Sequence, residues 1–262
     1  MDARSRRRCC RAMAAGLLAL QMTDPVTAAT LEAGLQRYVP YAVQQIDAAL
    51  AGAERMRERI ALRDVDGARR AWIQSHAGWE RAEPFTATLY PDLDDAIDAW
   101  PDAKAGYHAV EAKLFAGTAE EAEPIAAALA GKLREFAQQI RARGVTAQGL
   151  LDGSARLAFE IGENKAAGGE SAASGTSLDD MRNNLAGIAA VWTMVFAPAL
   201  RASDPAEAES MDAAFAELEA LLRAGDLKTL DQSRLAAASE RLALAFEAAA
   251  PKLGLAAPSL GD

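Results

Sequence analysis

The stretch TLEAGLQRYVPYAVQQIDAALAGAERMRERIALR, residues 30–63, decides the fold class. Its apolar side chains Leu31, Leu35, Val39, Val43, Ile46 and Leu50 recur every three or four residues, the period of one helix face. Alanine, glutamate and arginine, all strong helix formers, fill many positions between them. Pro40 falls inside the run and predicts a kink or a break, because proline has no N–H to donate and its ring meets the carbonyl four residues earlier. Working outward, the same pattern predicts helices over residues 65–89, with Pro84 near the end, and over 106–115, 119–143, 146–167, 178–202, 206–224 and 229–250. Residues 90–105, with Pro91, Pro101 and aspartates at 92, 94, 95, 98 and 102, read as a non-helical stretch, and 168–175 read as a loop of turn residues. Ser177 is placed to cap the helix that follows, with Asp179 and Asp180 in its first turn where the helix dipole favours anions. Asp204-Pro205 reads as a stop followed by an N1 proline. No β-alternating run of useful length interrupts the series. The expected fold is all-α, a bundle or a pair of bundles.

The chain has 262 residues, 28 Lys+Arg against 37 Asp+Glu for a net charge of −9, two cysteines and two histidines. The negative balance argues against nucleic-acid binding, which needs a basic face to displace phosphate counterions. Two cysteines exclude a disulfide scaffold and a four-cysteine zinc site, and the HExxH zinc helix is absent. A metal site in this chain has to be built mainly from carboxylates. At the N-terminus, Arg4, Arg6, Arg7, Arg8 and Arg11 precede an apolar run from Ala12 to Met22, then Val26-Thr27-Ala28. This is the layout of a cleaved secretory signal, residues 1–28. The run is too short to span a bilayer, which takes about 20 residues, so no membrane span is expected in the mature chain. Cys9 and Cys10 lie ahead of the run, where a lipid-attachment cysteine does not sit, so the sequence predicts a soluble periplasmic protein that is not a lipoprotein. Without residues 1–28 the net charge becomes −12.

Two helices carry side chains suited to a cation. His76, Glu80 and Glu83 are spaced i, i+4, i+7 and share a face; His108 and Glu111 are spaced i, i+3 and do the same. The aspartates between them, Asp94 and Asp98 included, add further oxygens. They form no EF-hand, since Ile97 stands where glycine is needed and Ala103 where the bidentate glutamate is needed.

The order of these pieces resembles the imelysin-like (peptidase M75-like) domain of the EfeO/EfeM periplasmic iron-uptake family. The resemblance rests on Trp79-Glu80-Arg81-Ala82-Glu83-Pro84, on Asp92-Leu93-Asp94-Asp95-Ala96-Ile97-Asp98, and on Gly106-Tyr107-His108-Ala109-Val110-Glu111. Arg37-Tyr38-Val39 with Gln44-Gln45-Ile46, then Glu160–Lys165, the Gly169-Glu170 loop and Ser177–Gly187, extend it over nearly the whole mature chain. It implies two helical bundles related by a pseudo-repeat, about 29–143 and 144–262, in a single-module form without the family's N-terminal cupredoxin-like domain. It implies Glu80, Glu83, Asp98 and His108 as metal ligands. Glu111 is either a fifth ligand or the group that orients His108. Asp94 and Glu170 are additional candidates. His76 stands where the resemblance leads one to expect arginine, and is either an extra ligand or a partly exposed helix residue. The implied cargo is iron, ferric or ferrous, with zinc or copper within reach of an imidazole-bearing site. The implied partners are an inner-membrane iron permease and a periplasmic peroxidase. The other reading is an M75-type zinc metallopeptidase with Glu111 as general base, which two histidines serve poorly.

Overall fold

Residues 25–61 form one 37-residue helix, α1, that runs through Pro40. The expected break does not occur. Pro40 and Gln36 both lie on the exposed face, so the carbonyl that loses its helical donor opens to water and the helix continues. The computed structural model describes residues 24–99, 104–163, 165, 170–223 and 225–258. After α1 come α2 (Val65–Leu89), α3 (Pro91–Ile97), α4 (Gly106–Phe115), α5 (Ala119–Arg143) and α6 (Ala147–Glu163). α7 (Ser177–Val191) runs through a π-helical turn at Trp192–Phe196 into α8 (Ala197–Ser203), followed by α9 (Pro205–Leu222) and α10 (Gln232–Ala249). No strand occurs among the described residues. The fold is all-α.

α1 packs along α2 and α5, and α4 lies across α5; α6 lies along α10, which also packs on α9. α2 belongs to both groups, because α6 and α7 pack on it as well. Its buried face carries Trp72, Trp79 and Phe85 into the core, with His76, Glu80 and Glu83 on the side turned toward α7 and the Asp98 loop.

Local chemistry sets several helix ends. The Asp64 carboxylate accepts from the Gly67 N–H at 2.9 Å to start α2, and Asp204 accepts from the Glu207 N–H at 3.2 Å to start α9 ahead of Pro205. Ser177 is not the cap of α7. Thr176 occupies that place without a capping bond, and its hydroxyl faces Ser174 Oγ and Asp180 instead. The aspartate-rich stretch is not wholly non-helical either: Pro91, whose fixed φ suits the first position of a helix, opens α3 over 91–97.

Two internal prolines have their consequences taken up from other helices. Pro84 cannot donate to the Glu80 carbonyl, and the Asn184 side chain of α7 donates to it at 3.0 Å. Pro198 likewise leaves the Met194 carbonyl, which accepts from Arg37 of α1 at 2.9 Å. Residues 177–203 are long and apolar enough to cross a membrane, yet Leu178, Met181, Leu185, Ile188, Val191, Trp192, Val195 and Phe196 are core residues of the bundle. The proposed signal run at 12–22 lies outside the described residues. The Val26-Thr27-Ala28 segment lies in the first turn of α1, with Thr27 buried, rather than in an extended strand.

Candidate metal centre

α4 is fastened to α2 where Trp72 Nε1 donates to the Tyr107 carbonyl at 3.1 Å and Ser75 Oγ meets the Tyr107 hydroxyl at 2.8 Å; Ser75 Oγ also donates to the Ala49 carbonyl of α1 at 2.6 Å. Gly106 begins α4 at φ +77°, and a Cβ there would lie 2.4 Å from the Ile97 carbonyl oxygen, so only glycine brings α4 this close to the end of α3. α7 approaches α2 at Gly187, where a Cβ would lie 2.5 Å from the Arg81 carbonyl oxygen. These contacts place His76, Glu80, Glu83, Asp98, His108, Lys165, Glu170, Asp180 and Asn184 in one buried cluster.

His76, 1% exposed, packs against the rings of Trp72 and Tyr107, its centroid 4.7 and 4.8 Å from theirs. Its Nε2 is 2.9 Å from Glu80 Oε1 and 3.7 Å from Asp98 Oδ1, and its Nδ1 is 3.3 Å from Asp180 Oδ1. His108 Nε2 is 3.5 Å from the same Asp98 Oδ1 and 4.0 Å from Glu170 Oε1. None of these approaches is aligned as a hydrogen bond: His76 Nδ1 and Nε2, Glu80 Oε1, Asp98 Oδ1 and His108 Nε2 are buried without a hydrogen-bond partner. Such atoms cost free energy when left unpaired, so their convergence is a chemical signature in itself. Ligand atoms of His76, Asp98 and His108 lie within 4.8 Å of one another, as do those of His76, Glu80 and Asp180 and those of Glu80, Glu83 and Asp98.

The other end of the cluster is met by the protein's own donors. Lys165 Nζ is 2.9 Å from Glu80 Oε2, 3.1 Å from Glu83 Oε2 and 3.1 Å from Glu170 Oε2. Asn184 Nδ2 donates to Glu80 Oε2 at 2.6 Å and to Glu83 Oε2. Behind His108, Glu111 accepts from the Ser174 N–H at 2.7 Å through one oxygen and meets His108 Nδ1 at 3.1 Å through the other.

Charge follows from this packing. Burial works against a charged His76, but Glu80 and Asp180 outweigh it and raise its pKa well above the usual range. His108 is pushed up to about 9 in the same way, by Asp98 and Glu111 against burial. Asp98, despite burial, is held well below the ordinary carboxylate range by the two imidazoles. Glu80 is held low against burial by Lys165 and His76, whereas burial and the neighbouring Glu80 push Glu83 up. Glu170 is raised by burial. Asp94, raised by burial to about 7, stands outside the cluster, on the wall of a cavity of about 370 Å³ that Glu83, Asp98, Glu160, Lys165 and Glu170 also line.

The structure therefore brings together Glu80, Glu83, Asp98, His108, His76 and Glu170. Glu111 touches His108 and not the open centre, and His76 is wholly buried rather than partly exposed. Lys165, Asp180 and Asn184 were not among the sequence candidates. All three sit in segments that carry the resemblance, but nothing in a lone Lys or Asn, or in an Asp of a helix's first turn, signals burial against another helix.

The family model described as Imelysin (peptidase M75) matches residues 102–251. The chain belongs to the imelysin family. In this imelysin the matched region holds His108, Glu111, Lys165, Glu170, Asp180 and Asn184, and it begins after α2 and Asp98. An Efem/EfeO family lipoprotein of Staphylococcus haemolyticus (strain JCSC1435) is 28% identical over 187 residues, 67% of this chain and 64% of that protein. The chain thus spans less than two thirds of that relative's length. Efem/EfeO family lipoproteins of Staphylococcus aureus strains MSSA476 and MW2 are 26% identical over 212 residues, 76% of this chain and 73% of theirs. A solved structure described as an iron-regulated protein A precursor from Parabacteroides distasonis ATCC 8503 superposes with a TM-score of 0.72 at 14% identity, covering 86% of this chain and 95% of that one, which shows a shared fold.

These relatives correct one expectation. They are named as lipoproteins, which overturns the reading of a soluble periplasmic protein that is not a lipoprotein. The physical reason is that a lipid anchor is attached outside the helical domain, so neither the packing of the helices nor the order of Cys9, Cys10 and the apolar run is a sound guide to it. Both cysteines lie outside the described residues.

Proposed function

We propose that this imelysin is a metal-binding protein of an iron-uptake system, which takes iron as cargo at the His76–Glu80–Asp98–His108 cluster. The observation that carries the reading is the convergence of buried, unpartnered nitrogen and oxygen atoms from α2, α4 and the end of α3. A cation is what such a set lacks, and its donors suit it: carboxylates favour ferric iron, and imidazoles extend the range to ferrous iron, zinc and copper. Glu170 supplies a further oxygen beside His108, Glu83 lines the adjoining end of the cluster, Glu111 orients His108, and Asp94 lines the approach. His76, Glu80, Asp98 and His108 belong to a first bundle, about 29–143, and a second, about 144–262, brings Glu170, Asp180 and Asn184 beside them. The name of the staphylococcal relatives supports the uptake role. By the resemblance, the recipient is an inner-membrane iron permease working with a periplasmic peroxidase.

The family label also names a peptidase. A zinc hydrolase needs a free general base beside a metal-bound water. Both Glu111 oxygens are already engaged, one by the Ser174 N–H and one by His108, which favours binding over hydrolysis. The test is titration of purified protein with Fe(III), Fe(II), Zn(II) and Cu(II), repeated with His108→Ala and Glu80→Ala. Each substitution should weaken binding by at least about 100-fold, since loss of a mere supporting residue already costs about 10–100-fold. Unchanged affinity in both variants overturns the site. Peptide turnover abolished by Glu111→Gln would instead favour the peptidase.

A further inference from the structure

Lys165 belongs to no ligand set, yet it is 3% exposed at the middle of the carboxylates. Lysine is almost never buried so deeply unless paired, and here three glutamates, from α2 and from the Glu170 loop, surround one ammonium within 3.1 Å. Asn184 donates to two of the same oxygens, so Glu80 Oε2 and Glu83 Oε2 have their partners. Glu80 straddles the two ends of the cluster. Its Oε2 faces the ammonium, and its Oε1 lies 2.9 Å from His76 Nε2 without an aligned hydrogen bond. On the histidine side, His76 Nδ1 and Nε2, Glu80 Oε1, Asp98 Oδ1 and His108 Nε2 lack a hydrogen-bond partner; at the glutamate end only Glu170 Oε2 and Asn184 Oδ1 do, among the described residues of the cluster.

Resting on the metal-capture reading above, we infer that Lys165 is a built-in cation that fills the glutamate end, confines the incoming metal to the histidine end and keeps the site to a single ion. A metal ion binding Glu80 Oε2 and Glu83 Oε2 would have to occupy the space that Nζ holds, and would meet its positive charge at contact distance. Lys165 thereby sets how many ions the centre accepts, while His76, Asp98 and His108 set which ones.

The experiment is stoichiometry. Zn(II) is titrated calorimetrically into the wild type, Lys165→Met, Lys165→Gln and Lys165→Arg, and bound zinc is counted after desalting. The wild type and Lys165→Arg should hold one equivalent; Lys165→Met should hold two. Lys165→Gln keeps an amide donor for the carboxylates, should also hold two, and stands in if the methionine variant does not fold. One equivalent at unchanged affinity in both neutral variants overturns the inference, as does loss of all zinc from a folded neutral variant, or two equivalents in the wild type. A wild type that binds no zinc, iron or copper overturns the metal-capture reading itself, so the two failures are distinct.

Discussion

The two ends of the buried cluster use the same kinds of side chain to opposite effect. At the glutamate end, Glu80 Oε2 and Glu83 Oε2 are met by Lys165 and Asn184, so negative charge is neutralised inside the protein by the protein. At the histidine end, His76, Asp98 and His108 approach one another at 3.5–3.7 Å without a hydrogen bond, held by packing against Trp72, Tyr107 and Glu111. One end holds an ammonium and an amide that donate to the glutamates; the other holds imidazoles and carboxylates without an aligned hydrogen bond between them. The difference teaches that acidic residues alone do not mark where a cation goes; what marks it is which buried donor atoms remain unsatisfied once the protein's own cation has been counted.

The largest effect that can break this comparison is on stability. Lys165→Met leaves three buried carboxylates without their ammonium, and should lower the unfolding free energy of the metal-free protein by about 3–5 kcal/mol, the usual cost of breaking a buried ion pair from one side. Urea unfolding followed by circular dichroism measures it; a variant as stable as the wild type means that the glutamate end is not saturated by Lys165. A smaller effect is expected at the histidine end. Glu111→Gln keeps the shape but weakens the grip on His108, and should reduce Zn(II) affinity by about 10-fold without changing the number of ions bound. No change in affinity would detach Glu111 from the centre.

The smallest and most gradual effect is on pH. His108 is raised from its ordinary 6.5 to about 9, so its contribution to folding is fully present below about 6.5 and is lost as pH rises through about 9. Asp98 is depressed, so its contribution is present above the ordinary aspartate value near 4 and is lost as pH falls below it. The metal-free protein should therefore melt at progressively lower temperature from pH 6.5 to 9. Metal affinity should rise over the same interval, because imidazoles bind metal only after losing their protons. Lys165 is raised above its ordinary value, so its ammonium keeps its charge through this window. His108→Ala should flatten the slope; a slope that survives it assigns the pH response to other groups.

Much of this was legible along the chain. The i, i+4, i+7 spacing of His76, Glu80 and Glu83 and the i, i+3 spacing of His108 and Glu111 are properties of single helices, and the helical period reported them without any knowledge of packing. What was not legible lies at long sequence separation. Lys165 meets Glu80 across 85 residues and Asn184 meets it across 104, and no periodicity carries information over such distances. Pro84 illustrates the gap: read locally it is a kink, but in the fold it releases the very carbonyl that anchors Asn184. Pro40, with the same local reading, leaves α1 unbroken because its face is exposed.

The sequence by itself determined an all-α chain, the helix faces that carry imidazole and carboxylate, and a composition that excludes cysteine-based metal sites. Those are consequences of backbone hydrogen-bonding period and side-chain chemistry, both local. Only the tertiary structure decided that His76 is buried against two aromatic rings, that Glu111 stands behind His108, and that a lysine occupies the glutamate end. Those depend on how closely α4 and α7 settle on α2, which is fixed by contacts such as Gly187 against Arg81 and Tyr107 against Ser75, between residues that the chain keeps far apart.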